Sequence, residues 1–228
     1  MPLLHHEPAA PTPLDPTDWR PQRFGRGSRS LKNAIFEPGW TGLRVLARVG
    51  PEGIALIDED GIDTTADFPE VVEAIGAAAL AGDLVLDGYL TLEATQATEG
   101  ATQLLPHAPT APEAMTQLLI GTRRPRRPKR ERPLDVERPI AFVAVDLLLV
   151  DGTKLLDVPL LERKRLLDGA LRVGELVRIT PWTHALVGPY ISTWRSLGFT
   201  EMACKGANSH YRPGDRNDDW SRVPLPNR

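Results

Sequence analysis

Between Ile140 and Val150 the chain runs eleven residues with Asp146 as its only charge. A strand this apolar has to be covered on both faces, so the chain must place packed layers on either side of it. With 228 residues and 41% hydrophobic content, it can supply them as an ordinary globular protein does.

The neighbouring segments indicate what those layers are. Residues 43–49 and 54–58 are apolar or alternating around Gly50, Pro51 and Gly53, which predicts a hairpin with a short turn. Asp67 is placed to cap a helix whose second turn begins after Pro69, with Val71, Ile75 and Ala78 or Ala79 as its buried stripe. Residues 84–92 change to period two. Leu84, Leu86, Leu90 and Leu92 share one face, and Asp87, Tyr89 and Thr91 share the other, a polar face suited to lining a pocket. Pro159 opens a second helix carrying Leu160, Leu167 and Leu171. A strand is expected over 176–180, a helix over 185–197, and short strands over 202–205 and 219–223. Strands and helices are mixed without strict βαβ alternation, so the expected class is α+β with antiparallel sheets flanked by helices.

Residues 1–30, rich in Pro, Gly and Arg, are expected to form a flexible lead-in that only partly docks, with the folded domain over 31–228. A helix is expected near 113–120. A basic loop over 121–133 follows, holding Arg123, Arg124, Arg126, Arg127, Lys129 and Arg130. The net charge of −3 conceals this segregation, because residues 51–100 hold twelve acids and no Lys or Arg. Phosphate backbones are attracted to the first segment and repelled by the second, which makes the basic loop the candidate DNA contact. Its proline-broken charges also suit a solvated loop without a partner.

No stretch reaches the roughly eighteen apolar residues of a membrane span, and the N-terminus lacks the order of a signal peptide. The expected location is cytoplasmic. The single cysteine, Cys204, excludes an internal disulfide and reads as a small core residue on a strand; the adjacent His5 and His6 read as tail residues. No metal site is expected from these residues.

Four separated segments, in one order over roughly residues 33–225, resemble the adenylation domain of ATP-dependent DNA ligases, most closely the short bacterial end-joining type. Phe36-Glu37-Pro38-Gly39-Trp40-Thr41-Gly42-Leu43-Arg44 is similar to the family's Glu-Pro-Lys-Trp-Asp-Gly-x-Arg around its nucleophile. Val85-Leu86-Asp87-Gly88-Tyr89-Leu90 is similar to its Leu-Asp-Gly-Glu strand. Residues 142–148, with Asp151-Gly152 and Pro159-Leu160-Leu161-Glu162-Arg163, are similar to a central strand and the helix after it. Lys205, Tyr211-Arg212-Pro213-Gly214 and Asp219-Trp220-Ser221-Arg222-Val223 are similar to its closing elements. The resemblance implies a ligase-type nucleotidyltransferase domain, ATP-grasp-like, with ATP and Mg²⁺ as candidate cofactors and DNA or a DNA-repair protein as candidate partner.

The departures fall on the chemistry. In the family a lysine amine attacks the α-phosphate of ATP and carries AMP, and Gly39 stands at that position. Thr41 replaces an aspartate and Tyr89 a glutamate that binds ribose. Val145 replaces an aromatic, and Pro224 a phosphate-binding lysine. The metal-supporting glutamate aligns with Thr200, leaving Glu201 one place along on the opposite face of a regular strand, unless a bulge restores it. A DNA-gripping arginine reads Glu59. Glu37, Arg44, Lys205 and Arg222 are what the resemblance leaves of a nucleotide site; as strand-end residues retained by descent, the first three can equally be surface charges. The chain stops at Arg228, where the resemblance implies a small oligonucleotide-binding barrel beyond, so autonomous nick sealing is not expected.

The leading expectation is a catalytically inactive family member, a pseudoenzyme with a binding or accessory role in DNA repair or recombination. The alternatives are an active DNA ligase or nucleotidyltransferase using a displaced lysine such as Lys32 or Lys205, a DNA-binding module working through the basic loop, and a protein-interaction domain.

Overall fold

A computed structural model of the chain describes residues 15–26, 33–92, 140–184 and 187–226. The helix expected near 113–120, the basic loop, Lys32, His5 and His6 lie outside the described residues.

Ile140–Val150 (β6) is central to the larger sheet and is buried from Ala141 to Leu149. Leu84–Leu92 (β5) pairs antiparallel along its whole length, followed outward by Leu43–Gly50 (β3) and Gly53–Asp58 (β4), the expected hairpin. The other edge of β6 is shared. Thr153–Lys154 (β7) returns antiparallel at its end, and Val177–Ile179 (β8) pairs parallel at Phe142, Val143 and Ala144. That parallel pairing departs from the expected antiparallel sheet. Its cause is the helical crossover between β7 and β8, which reverses the chain before it re-enters the sheet, as parallel neighbours require.

The crossover helix is Leu160–Ala170 (α2), entered through Pro159 as expected. Pro69–Ala78 (α1) buries Val71, Ile75 and Ala78 against the same sheet face, together with Leu167 and Ala170 of α2 and with Phe142, Ala144 and Leu147 of β6. Phe68, not Asp67, takes the position before α1, and no side chain caps it. Proline disfavours helical geometry in the residue before it, so Phe68 adopts φ −133° and ψ 55° while Asp67 closes the preceding 3₁₀ turn, Thr65–Asp67.

Relative to β5, β6 is bulged twice, between the partners of Val85 and Leu86 and between those of Asp87 and Gly88. Each extra residue shifts side chains to the other face. Phe142 and Ala144 thus share a core with Leu147, while Val143 and Val145 join Trp40, Trp194, Leu197 and Phe199 on the reverse face. Between the bulges, Asp146 lies directly opposite Asp87.

The second sheet has Glu201–Gly206 (β9) at its centre, with Ala34–Pro38 (β2) and Trp220–Pro224 (β11) antiparallel on either side. Val187–Ser196 (α3) buries Trp194 beside Met202. Cys204 is buried on β9, as expected. From the lead-in, Trp19 and Gln22 are buried, and Arg23–Phe24 (β1) pairs parallel with Arg216–Asn217 (β10). The two main sheets meet face to face through Trp19, Leu46, Val85, Tyr211 and Trp220. No helix among the described residues is long and apolar enough to cross a membrane.

Candidate functional site

The segment that resembles the nucleophile region leaves β2 at Pro38 and turns at once. The Trp40 N–H donates to the Pro38 carbonyl at 2.9 Å, and the Gly39 N–H donates to the Glu201 carbonyl at 2.9 Å. This holds Gly39 flat against β9. A Cβ on Gly39 would lie 2.7 Å from the Glu201 oxygen, 2.8 Å from its carbonyl carbon and 2.9 Å from its Cβ. Two of those atoms are backbone, so a side chain at position 39 requires the turn or β9 to move. Gly42 is equally constrained: its φ is +118°, and a Cβ there would lie 2.2 Å from the Leu90 oxygen. Trp40, between them, is buried, donates from Nε1 to Thr180 Oγ1 at 2.7 Å and stands edge-on to Phe199.

Alternation along β9 puts Glu201, Ala203 and Lys205 on one face, and the register places Trp220 and Arg222 of β11 and Glu37 of β2 beside them. Arg222 spans the two sheets. Its Nη2 donates to the Tyr89 hydroxyl at 2.8 Å and to the Trp40 carbonyl at 2.7 Å. Its Nη1 is 3.8 Å from Glu201, and its guanidinium lies 4.9 Å from the Phe24 ring centre. Glu201, and not Thr200, is thus the residue beside Gly39. No register shift interrupts β9. Thr200 is exposed and offers its carbonyl to the Leu225 N–H at 2.8 Å. The hydroxyl of Thr41 is buried without a hydrogen-bond partner among the described residues.

Glu37, Arg44 and Lys205 are not surface charges; each is at most 4% exposed. Arg44 grips Asp87 with two hydrogen bonds, Nε to Oδ1 at 3.0 Å and Nη2 to Oδ2 at 2.6 Å, and donates from Nη1 to the Gln22 carbonyl. The Tyr211 hydroxyl donates to the same carboxylate at 2.9 Å. Burial lowers an arginine's pKa, but Asp87 outweighs it and holds Arg44 well above its ordinary value. Burial and the Asp87 charge both push the Tyr211 phenol well up.

Glu37 lies between two ammonium groups, those of Lys164 and Lys205, the latter at 2.9 Å. Burial alone would raise its pKa, yet the two lysines hold it below the ordinary value. Burial pushes Lys164 down, opposed by Glu37. Lys205 also sits 4.3 Å above the Trp220 ring.

These contacts correct the expectation that Asp87, Tyr89 and Thr91 line a pocket. All three are buried, with Asp87 saturated by Arg44 and Tyr211 and Tyr89 bonded to Arg222. The bulges on β6 place Asp87 and Asp146 face to face, and each buried carboxylate takes its own arginine, Asp146 from Arg163 at 2.9 and 2.8 Å. Sequence reasoning missed Arg163 and Lys164 as interior residues. The signal was present: the buried stripe of α2 includes both, between Leu160 and Leu167, where an amphipathic helix ordinarily carries apolar side chains.

As arranged, Arg44, Lys205 and Arg222 are each engaged within the protein. The cations that the resemblance would turn toward phosphates are matched by Asp87, Glu37 and Glu201. Among the described residues no three His, Cys, Asp or Glu side chains gather as metal ligands.

Comparison with known proteins agrees with this architecture. Residues 28–223 match the family model described as ATP dependent DNA ligase domain. The chain is 25% identical to DNA ligase 2 of Methanosarcina mazei over 86% of its own length and 34% of that protein's. It is 28% identical to DNA ligase 1 of Korarchaeum cryptofilum over 98% of its length and 39% of the relative's. It therefore spans little more than a third of the curated relatives it matches. Among solved structures, the ligase domain of LigD from M. tuberculosis superposes with a TM-score of 0.64 at 20% identity, covering 92% of this chain and 61% of that one. A mycobacterial DNA ligase D complexed with ATP and MES gives 0.62 at 21% identity over the same shares. With its two face-to-face sheets, its crossover helix and a family match over most of its length, this chain belongs to the ATP-dependent DNA ligase domain family.

Proposed function

We propose that this domain keeps the ligase adenylation fold without forming a lysyl-AMP intermediate, and that it acts by binding, in an accessory role in DNA repair or recombination. The observation that carries the reading is Gly39, whose backbone is packed so closely against Glu201 that any side chain would require the turn or β9 to move. A phosphoramidate needs an amine that reaches the α-phosphate, and electrostatic stabilisation does not replace a missing covalent partner. Two interior lysines stand within reach of the same sheet face, but Lys164 and Lys205 are both ion-paired to Glu37 and fully enclosed. Both Nζ atoms are held against the Glu37 carboxylate inside the protein rather than at Gly39. Arg222, joined to Tyr89, Trp40 and Glu201, occupies the space between the sheets beside Gly39. DNA is the binding target the family membership favours, with Arg123, Arg124, Arg126, Arg127, Lys129 and Arg130 as its candidate contacts.

The test is incubation of the whole protein with α-labelled ATP and Mg²⁺, followed by denaturing separation. The expected result is no labelled protein. A covalent adduct would overturn the proposal, and mapping it to Lys32 or Lys205 would establish a displaced nucleophile in its place.

A further inference from the structure

β9 has two ends. Glu201, at the first, meets Gly39; Gly206, at the second, opens into a loop about 16 Å away at the roughly 3.3 Å per residue of a strand. Two cavities flank that loop. One, of about 370 Å³, is lined by Asn33, Asn208, Ser209, His210, Arg212 and Asp219. The other, of about 500 Å³, has Leu156, Tyr211 and Pro213 as an apolar wall, with Lys154 and the acids Asp157 and Asp215 at its edges. Arg212 lines both.

The frame of this loop is fixed. The Gly206 N–H donates to the Asp219 carbonyl at 2.8 Å, the Ala207 N–H to the Asn33 carbonyl at 2.9 Å, and the Arg212 N–H to the Gln22 side chain at 2.5 Å. The polar groups on that frame are left with spare capacity. The Arg212 guanidinium is exposed and, among the described residues, has neither an ion pair nor a hydrogen bond. Ser209 is 8% exposed; its oxygen accepts from Trp220 Nε1 at 3.0 Å, and no acceptor among the described residues takes its proton. The Ser209 hydroxyl and the Arg212 guanidinium thus both have donors to offer at the first cavity.

We propose that this loop is a second ligand site, distinct from the Gly39 site, for a phosphate-bearing molecule of mononucleotide size. Arg212 offers the forked donors that match a phosphate, with the Ser209 hydroxyl and the Asn208 amide around the same cavity and His210, whose Nδ1 lies 3.7 Å from Asp157, beside them. Asp219 is the acid among them. It accepts hydrogen bonds, so the site prefers a ligand with hydroxyl or amino donors beside its phosphate to a bare anion. The apolar wall beyond Arg212 receives the base. Both volumes fall within the roughly 300–1,000 Å³ of small-molecule sites.

The probe is AMP, titrated into the full chain by calorimetry with inorganic phosphate as competitor. Saturable binding is expected, with phosphate competing more weakly than AMP. Arg212→Ala and Asn208→Asp should each lower AMP affinity about tenfold, the loss of one charge-assisted hydrogen bond or the gain of one repulsion. A 5′-phosphorylated oligonucleotide and its unphosphorylated twin distinguish the sources: competition by the first alone assigns the phosphate to a DNA strand end, competition by neither assigns it to a free nucleotide, and either result upholds the site. Absence of saturable AMP binding would overturn the proposal. So would binding that survives Arg212→Ala but is lost in Arg222→Ala, since the ligand would then occupy the space beside Gly39. The labelling experiment with ATP is independent, because it reads a covalent bond and this one does not.

Discussion

At position 39 the absence of a side chain and the local packing are one fact. The N–H of Gly39 is bonded to Glu201, and the space a Cβ would need is filled by Glu201 backbone atoms. A side chain introduced at position 39 therefore meets the backbone of β9. Gly39→Ala is expected to cost about 1–3 kcal/mol by overpacking, measured as a lower urea midpoint. Gly39→Lys is expected to be at least as destabilised and to remain unlabelled by α-labelled ATP. A Gly39→Lys protein of unchanged stability would show that the turn yields easily and that the packing is not a barrier.

The elements β5, β6 and α2 are joined by buried ion pairs as well as by apolar contact. The two bulges on β6 set Asp146 opposite Asp87, an arrangement in which like charges on adjacent strands repel. It persists because each carboxylate is gripped by its own arginine from a different element, Arg44 of β3 and Arg163 of α2. Arg163 also donates to the Val158 and Ser209 carbonyls, so it ties the start of α2 to the loop after β9. Removing one partner of such a buried pair strands the other. Asp146→Asn is expected to cost about 3–5 kcal/mol in equilibrium urea unfolding, whereas Glu162→Gln, which breaks the exposed Arg165–Glu162 pair, should change stability by well under about 1 kcal/mol.

Across the whole molecule, the space between the two sheets holds a layer of buried charge in which Glu37 is shared by Lys164 and Lys205. This makes stability depend on acid pH in a definite direction. The carboxyl of folded Glu37 is held below its ordinary value of 4.5, so the unfolded chain takes up the proton first as pH falls. The stabilisation is complete above about the ordinary value and is lost as pH drops through the lower, folded one. The urea midpoint of the native protein should therefore decline below about pH 4.5, and Glu37→Gln should start lower and decline less steeply. Parallel slopes in the two proteins would remove Glu37 as a source of the effect.

The local pattern of the chain was enough for the layered α+β class, the apolar central strand, the β3–β4 hairpin and the stripe of α1, because periodicity and turn chemistry act over a few residues. The four family-like segments were legible in the same way, since a side chain's chemistry is written in its identity. The parallel pairing of β8 was not, because it depends on where α2 returns the chain. Nor was the fate of Glu37, Arg44 and Lys205. Whether a charged residue faces solvent, a ligand or an opposite charge depends on what the fold brings within about 3 Å of it, and here the partners are as distant in sequence as Glu37 from Lys164 and Lys205. Only tertiary structure decided that these charges are satisfied from within the protein, and that Glu201, and not Thr200, closes over Gly39.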